Sequence, residues 1–220
     1  PWSDTANGCL LQLNDGTLFE YERLRETKIM PSEAEPLMEV CPWMSAIKDV
    51  TPYSDDSSDY TRPRLVFGLS SKSRLYLNDV MLAESASSFF LSLNHEFLCY
   101  ATTGSRCQTR FLPLKEIHSF DPLMGLEQNY VLDGYEPRNV EQGSRVVAIL
   151  PQKPQMILQM PRGNLESIYP RALVLRYLMT RIADGVYGEA FRMMRKHKVD
   201  LNLIVDLNPR GFLDSGIASF

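Results

Sequence analysis

The residues whose types could carry chemistry are three histidines, four cysteines and a knot of aspartates, and their spacing argues against each reaction in turn. His95, His118 and His197 lie on unrelated segments, with no HExxH run and no cysteine at finger-like spacing, so no zinc site is expected. Cys9, Cys41, Cys99 and Cys107 contain no CxxC pair and read as free thiols of a reducing compartment. Cys99 and Cys107 could face one another across a hairpin, a geometry that spacing alone does not establish. Asp55, Asp56 and Asp59 could be drawn as a calcium loop. They lack the regular oxygen spacing and closing glutamate of an EF-hand, which favours a solvated loop. His95 and Glu96 could be drawn as an acid–base pair, yet neighbours at a strand turn point apart. No GxSxG, Walker or GxGxxG run occurs. The expectation is no catalytic residue, no cofactor-binding residue, no metal site and no cofactor. A hydrolase on a β scaffold remains the enzymatic rival, without an active site to support it.

One cluster could do binding rather than catalysis. Arg192, Arg195, Lys196, His197 and Lys198 crowd the end of a helical segment. Cations there complement the negative end of the helix dipole, which is the plain structural reading. The functional reading is contact of Arg192, Arg195 and Lys196 with an acidic partner or an RNA backbone. Met179, Met193 and Met194 read as helix packing.

The elements that must position these residues fall into two kinds. The 220 residues are 44% hydrophobic, 10% aromatic and 23% charged, as in an ordinary folded protein. Residues 170–220 hold eight Lys/Arg and five Asp/Glu, a net of +3, which leaves −7 for the preceding part. No apolar run approaches the ~18 residues of a membrane span. The start lacks the pattern of a signal peptide, and the chain begins without Met, which suggests an excerpt from a longer polypeptide.

Residues 8–13 and 17–22 flank Asn14-Asp15-Gly16, which predicts a tight hairpin. Residues 23–42 read as irregular, and residues 43–47 as a short strand. Strand-like runs then recur every 8–12 residues from 64 to 102, the mark of a sheet stack, barrel or propeller. The pattern of strand, polar turn and strand at 9–19 returns near 65–76, which fits propeller blades. Residues 106–112 should pair back on 97–102, residues 119–143 read as loop, and 145–150, 156–160 and 165–168 as three more strands. Pro170 suits a first helical position. Leu175, Leu178, Met179 and Ile182 recur at helical spacing up to Gly185. Tyr187, Ala190, Phe191 and Met194 repeat the spacing, and Asp200 can cap a third helix ended by Asn208-Pro209. Short turns between three such helices suggest antiparallel helical hairpins. The expected domains are therefore a β part at 1–169 and a helical part at 170–220. The joint between them is assigned to Pro161, Arg162, Gly163, Asn164 and Pro170.

Four runs carry a specific resemblance: Gln159-Met-Pro-Arg-Gly-Asn-Leu-Glu166, Pro170-Arg-Ala-Leu-Val-Leu175, Glu189-Ala-Phe191 with Met194-Arg-Lys196, and Asp200-Leu-Asn-Leu-Ile204 with Asp206 and Asn208-Pro209. Together they resemble the largest, scaffold subunit of Elongator, also called the IKAP family. The match is dense over 145–213 and looser over 8–110. The resemblance implies terminal blades of a WD-type β-propeller leading into an α-solenoid. It also implies a non-catalytic scaffold that holds a catalytic subunit for carboxymethyl-type modification of transfer RNA wobble uridines. Implied partners are the other Elongator subunits, and a second copy through regions outside this chain. Contact with transfer RNA would be indirect, no membrane is implied, and a cytoplasmic and also nuclear location is expected. The alternative is a generic propeller and solenoid interaction module for vesicle-coat or signalling partners.

Overall fold

Short strands with polar turns cannot bury their apolar faces singly, and in the computed structural model they gather into four antiparallel sheets. The described residues are 2–5, 8–22, 29–31, 37–48, 64–92, 96–114 and 135–216. The first sheet runs β1 (Trp2–Thr5), β2 (Gly8–Gln12), β3 (Leu18–Glu22), β4 (Ile29–Pro31). The second runs β5 (Trp43–Lys48), β6 (Arg64–Leu69), β7 (Leu75–Leu77), β8 (Val80–Ala83). The third holds β9 (Ala86–Leu91), β10 (Phe97–Thr102), β11 (Gln108–Pro113) and β12 (Arg138–Asn139), again in chain order. The fourth has three strands, β13 (Arg145–Ile149), β14 (Met156–Gln159) and β15 (Leu165–Ile168). Each sheet's first strand lies inward, β1 against β5 and β9 against β13, so the sheets are radially repeated blades.

Sequence explains the local choices. In the first hairpin Gly16 adopts φ 91°, and Thr17 N–H donates to Asp15 Oδ1 at 3.0 Å. At the end of β7, Asn78 takes φ 50° and its Oδ1 accepts from Val66 N–H at 2.8 Å, filling a gap in the ladder. All six residues of β10 are buried. Leu98 and Tyr100 join a core shared with the second sheet, while Phe97, Cys99 and Ala101 join one shared with the fourth. That alternation is the period of a strand covered on both faces. Ser88 Oγ accepts from Val146 N–H at 2.7 Å and Ser87 Oγ donates to Ser144 O at 3.1 Å, which stitches the third blade to the fourth.

The 9–19 and 65–76 echo has a structural basis: β2–β3 and β6–β7 are the second and third strands of successive blades. Several expectations are corrected. Within 23–42, Ile29–Pro31 is a strand paired to β3, and within 119–143, Arg138–Asn139 is a strand paired to β11. Cys99 does not face Cys107. The register sets it opposite Phe111, Cys107 precedes β11, and both are free thiols. Asp55, Asp56, Asp59, His95 and His118 lie outside the described residues.

The helical part begins with α1 (Arg171–Ala183), followed by α2 (Tyr187–His197) and α3 (Asn202–Leu207). Pro170 stands one place before α1, with φ −62° and ψ 143°, so it caps the helix in an extended conformation. Gly185 at φ 74° and Lys198 at φ 54° close the first two helices in the left-handed region. The buried face of α1 is Ala172, Leu173, Val174, Leu178 and Ile182. Met179, expected in the core stripe, is exposed because the face turns toward the sheets at its N-terminal end. Met194 is fully buried and Met193 packs beside it. Asp200, expected to cap α3, stands one place before the N-cap Leu201, and its Oδ1 accepts from Asn202 N–H at 3.0 Å. As expected, α3 stops at Asn208, which leaves the helical region at φ −149° and ψ 72°, and Pro209 opens a separate short helical turn. Asn208 Oδ1 accepts from Gly211 N–H at 3.0 Å, and a π-helical turn, Phe212–Gly216, follows.

Candidate interaction joint between the last sheets and the first helix

The helix α1 faces two cores at once. Ala172 and Leu173 sit in the cluster of Phe97, Cys99, Val146, Ile149, Met156 and Leu158. Val174, Leu178 and Ile182 sit with Tyr187, Ala190, Met194 and Ile204. A helix whose first turn is sheet core and whose remainder is helix core cannot swing without exposing one of them. Burying Leu173 alone contributes roughly 1.5–3 kcal/mol as an upper bound.

Polar contacts fix the rotation of α1. Arg176 donates from Nε to Glu96 Oε2 at 2.8 Å and from Nη2 to Oε1, a two-pronged grip on the β9–β10 loop. The hydrogen bonds to Glu96 hold the guanidinium pKa above its ordinary value. On the loop side, Ser92 Oγ accepts from the N–H groups of Glu96 and Phe97 at 2.9 and 3.0 Å and so positions the carboxylate.

Tyr169 is the second fixed point. Its hydroxyl accepts from Gln155 Nε2 at 2.5 Å, and its carbonyl accepts from Arg138 Nη1 at 3.3 Å. Its ring lies 4.7 Å from that of His197 and 5.0 Å beneath Lys196 Nζ. The end of α2 is thereby held on the residue that leaves the last strand. Burial, and then the Lys196 charge, hold the His197 imidazole below its ordinary pKa.

The residues expected to form the joint are separated in the fold. Pro161, Arg162, Gly163 and Asn164 are the exposed turn between β14 and β15, with Gly163 at φ 88°. A whole strand follows them, so the passage to the helices is Tyr169 and Pro170. Pro170 is buried at that passage. Arg192, Arg195 and Lys196 are exposed, with Arg195 over the Phe191 ring at 5.9 Å and Lys196 over Tyr169. Arg192 lines an apolar groove with Leu201, Ile204, Val205 and Phe212. Sequence reading missed Tyr169, Glu96 and Arg176. A usable signal was present for the last: Arg176 lies three residues after Leu173 on an otherwise apolar helix face, where a cation needs a partner.

A cleft of about 570 Å³ opens among the first strands and is lined by Trp43, Met44, Phe89, Phe90, Val147 and Arg145, among others. Its hydroxyls Ser87 and Ser88 are engaged in the blade contacts described above. Among the described residues no group of three His, Cys, Asp or Glu could hold a metal ion, and no helix is long and apolar enough to cross a membrane.

Blades that pass through a wedged, ion-paired joint into helical hairpins define the propeller–solenoid class. The chain belongs to the Elongator complex protein 1 family: residues 1–147 match the ELP1 N-terminal second beta-propeller and residues 171–220 the ELP1 alpha-solenoid. It is 40% identical to the Elongator complex protein 1 of Oryctolagus cuniculus over 150 residues, covering 68% of this chain and 11% of the relative. It is 30% identical to the putative elongator complex protein 1 of Xenopus laevis over 219 residues, covering 97% of this chain and 18% of that one. The Saccharomyces cerevisiae Elongator complex protein 1 is 30% identical over 211 residues, covering 90% and 15% respectively. The chain thus spans less than a fifth of the length of these relatives.

Proposed function

We propose that this chain is the passage from propeller to solenoid in a non-catalytic scaffold subunit of Elongator, and that it sets the direction in which the solenoid leaves the propeller. The observation that carries the reading is the Arg176–Glu96 pair, which ties the first solenoid helix to a blade loop 80 residues earlier. A scaffold acts by geometry. A few degrees at such a joint become a large displacement of anything held further along stacked helical repeats. Family membership supports the assembly: the subunit holds a catalytic partner that modifies transfer RNA wobble uridines, and it pairs with a second copy outside this chain. In this reading transfer RNA contact is indirect, the location is cytoplasmic and also nuclear, and the domains divide near 169–170. Pro170 is the turning point, while the tip at Pro161, Arg162, Gly163 and Asn164 is free to meet a partner. Arg192, Arg195 and Lys196 are partner-facing cations of α2.

The test uses the full-length subunit. Arg176→Glu should lower wobble-uridine modification several-fold at unchanged subunit abundance, and the swapped pair Arg176→Glu with Glu96→Arg should recover much of it. Purification under gentle salt without any other Elongator subunit would overturn the assignment.

A further inference from the structure

On the side of the joint where α2 ends lies a cleft of about 460 Å³, lined by Glu136, Arg138, Tyr169, Arg171, His197 and Val199 among others. Its positive charge comes from two separate elements, Arg138 from β12 and Arg171 from the first turn of α1, and Lys196 stands nearby over the Tyr169 ring at the end of α2. Arg138 spends one hydrogen bond on the Tyr169 carbonyl. Among the described residues no carboxylate pairs with Arg138, Arg171 or Lys196; the ion pairs of this region are Arg176–Glu96 and Arg181–Asp184. His197 Nε2 is shut off from solvent and has no hydrogen-bond partner. A buried polar atom without a partner is uncommon in a settled fold. The imidazole lines a cleft that also carries Arg138 and Arg171, with Glu136 in the same wall.

We propose that this cleft receives an acidic side chain from a peptide segment of a partner protein. A carboxylate entering between Arg138 and Arg171 gains charge-assisted hydrogen bonds from guanidinium groups, with His197 Nε2–H as a further donor. The apolar atoms of Pro137, Val174 and Val199 give the rest of such a segment a surface to lie on. A nucleic-acid backbone fits less well. It needs an extended basic track with several phosphate contacts, whereas this cleft is small, has Glu136 in its wall and adjoins a β part of net charge −7. The Tyr169 ring already packs against His197 and Lys196.

The proposal rests on the assembly described under the proposed function, and its test separates the two. The purified complex containing the full-length subunit is treated with a carbodiimide, which joins lysine amines to carboxylates at zero length, and the linked peptides are identified by mass spectrometry. The expected product joins Lys196 to an Asp or Glu of another subunit. Its yield should fall at least fivefold in Arg138→Glu/Arg171→Glu and stay unchanged in Lys153→Glu, a cation on a different cleft. If the complex assembles but Lys196 links only within its own chain, or not at all, the cleft proposal is overturned and the scaffold reading stands. Photo-crosslinking of residues 138, 171 or 196 to RNA in place of the peptide link also overturns it. Failure of the complex to assemble in the parent protein counts against both.

Discussion

Arg176 and Glu96 grip each other through two hydrogen bonds although 80 residues separate them, and the pair spans the boundary between a blade loop and a helix. Both side chains are partly exposed, so solvent screening limits the pair to about 1 kcal/mol. Arg176→Ala and Glu96→Ala should each raise amide exchange in the first half of α1 by about fivefold, and the double variant little further. Exchange in β2 and β3 should not change. Additive effects of the two single variants would remove the pair from the account of the joint.

A second relationship places the opposite demand, for a missing side chain. A Cβ on Gly68 would lie 2.6 Å from Leu37 Cδ1 and 2.7 Å from Cys41 Sγ. Leu37 and Cys41 are both buried in the core between the first two blades. Gly68→Ala should therefore destabilise that core by about 1–3 kcal/mol, seen as faster proteolysis between the blades. Adding Leu37→Ala should not add its own full cost, because it opens the space that the new methyl needs. Equal proteolysis rates for wild type and Gly68→Ala would show that the segment at 37–41 moves aside freely.

The cysteines should differ sharply in reactivity. Burial, and then the charge of Glu39, push the Cys41 thiol up to about 12 from 9.0, and burial raises Cys99 as well. A shift of that size lowers the thiolate fraction of Cys41 about a thousandfold. Iodoacetamide at pH 8 should label Cys107, which lies partly open in the turn before β11, and leave Cys41 and Cys99 unmodified until the chain is unfolded. Rapid native labelling of Cys99 would mean that the core under α1 opens.

What the sequence made legible follows from range. The hairpin around Asp15-Gly16 and the stops at Gly185 and Asn208 are set by neighbours a few residues away, and local chemistry announces them. Strand spacing disclosed repeated blades for the same reason. The joint was not legible, because its parts lie far apart in the chain: Glu96 reads as a loop residue until Arg176 is set against it. The same cause misplaced the turn at 161–164, where a proline and a glycine look like a domain boundary but close a hairpin. The core stripe of α1 was misread at Met179, since periodicity gives a helix an apolar face without saying which of two neighbours it must serve. His197 is a further case, one of several cations in sequence and an imidazole against Tyr169 in space.

That placement of His197 gives the joint a dependence on pH. Burial and Lys196 lower the folded-state pKa below the ordinary 6.5, so the unfolded chain binds the proton more readily. The contribution of His197 is therefore complete above about pH 6.5 and is lost as pH falls below 6.5 through the folded pKa. The surroundings act in the same direction: Arg138 and Arg171 across the cleft and Lys196 on its own helix oppose a charged imidazole, with Glu136 the carboxylate in the lining. Amide exchange of residues 187–199, corrected for its intrinsic pH dependence, should be slower at pH 7.5 than at pH 5.5. His197→Gln should flatten that difference while leaving the exchange of β6 untouched. A His197→Gln profile as steep as wild type would assign the acid sensitivity to another group.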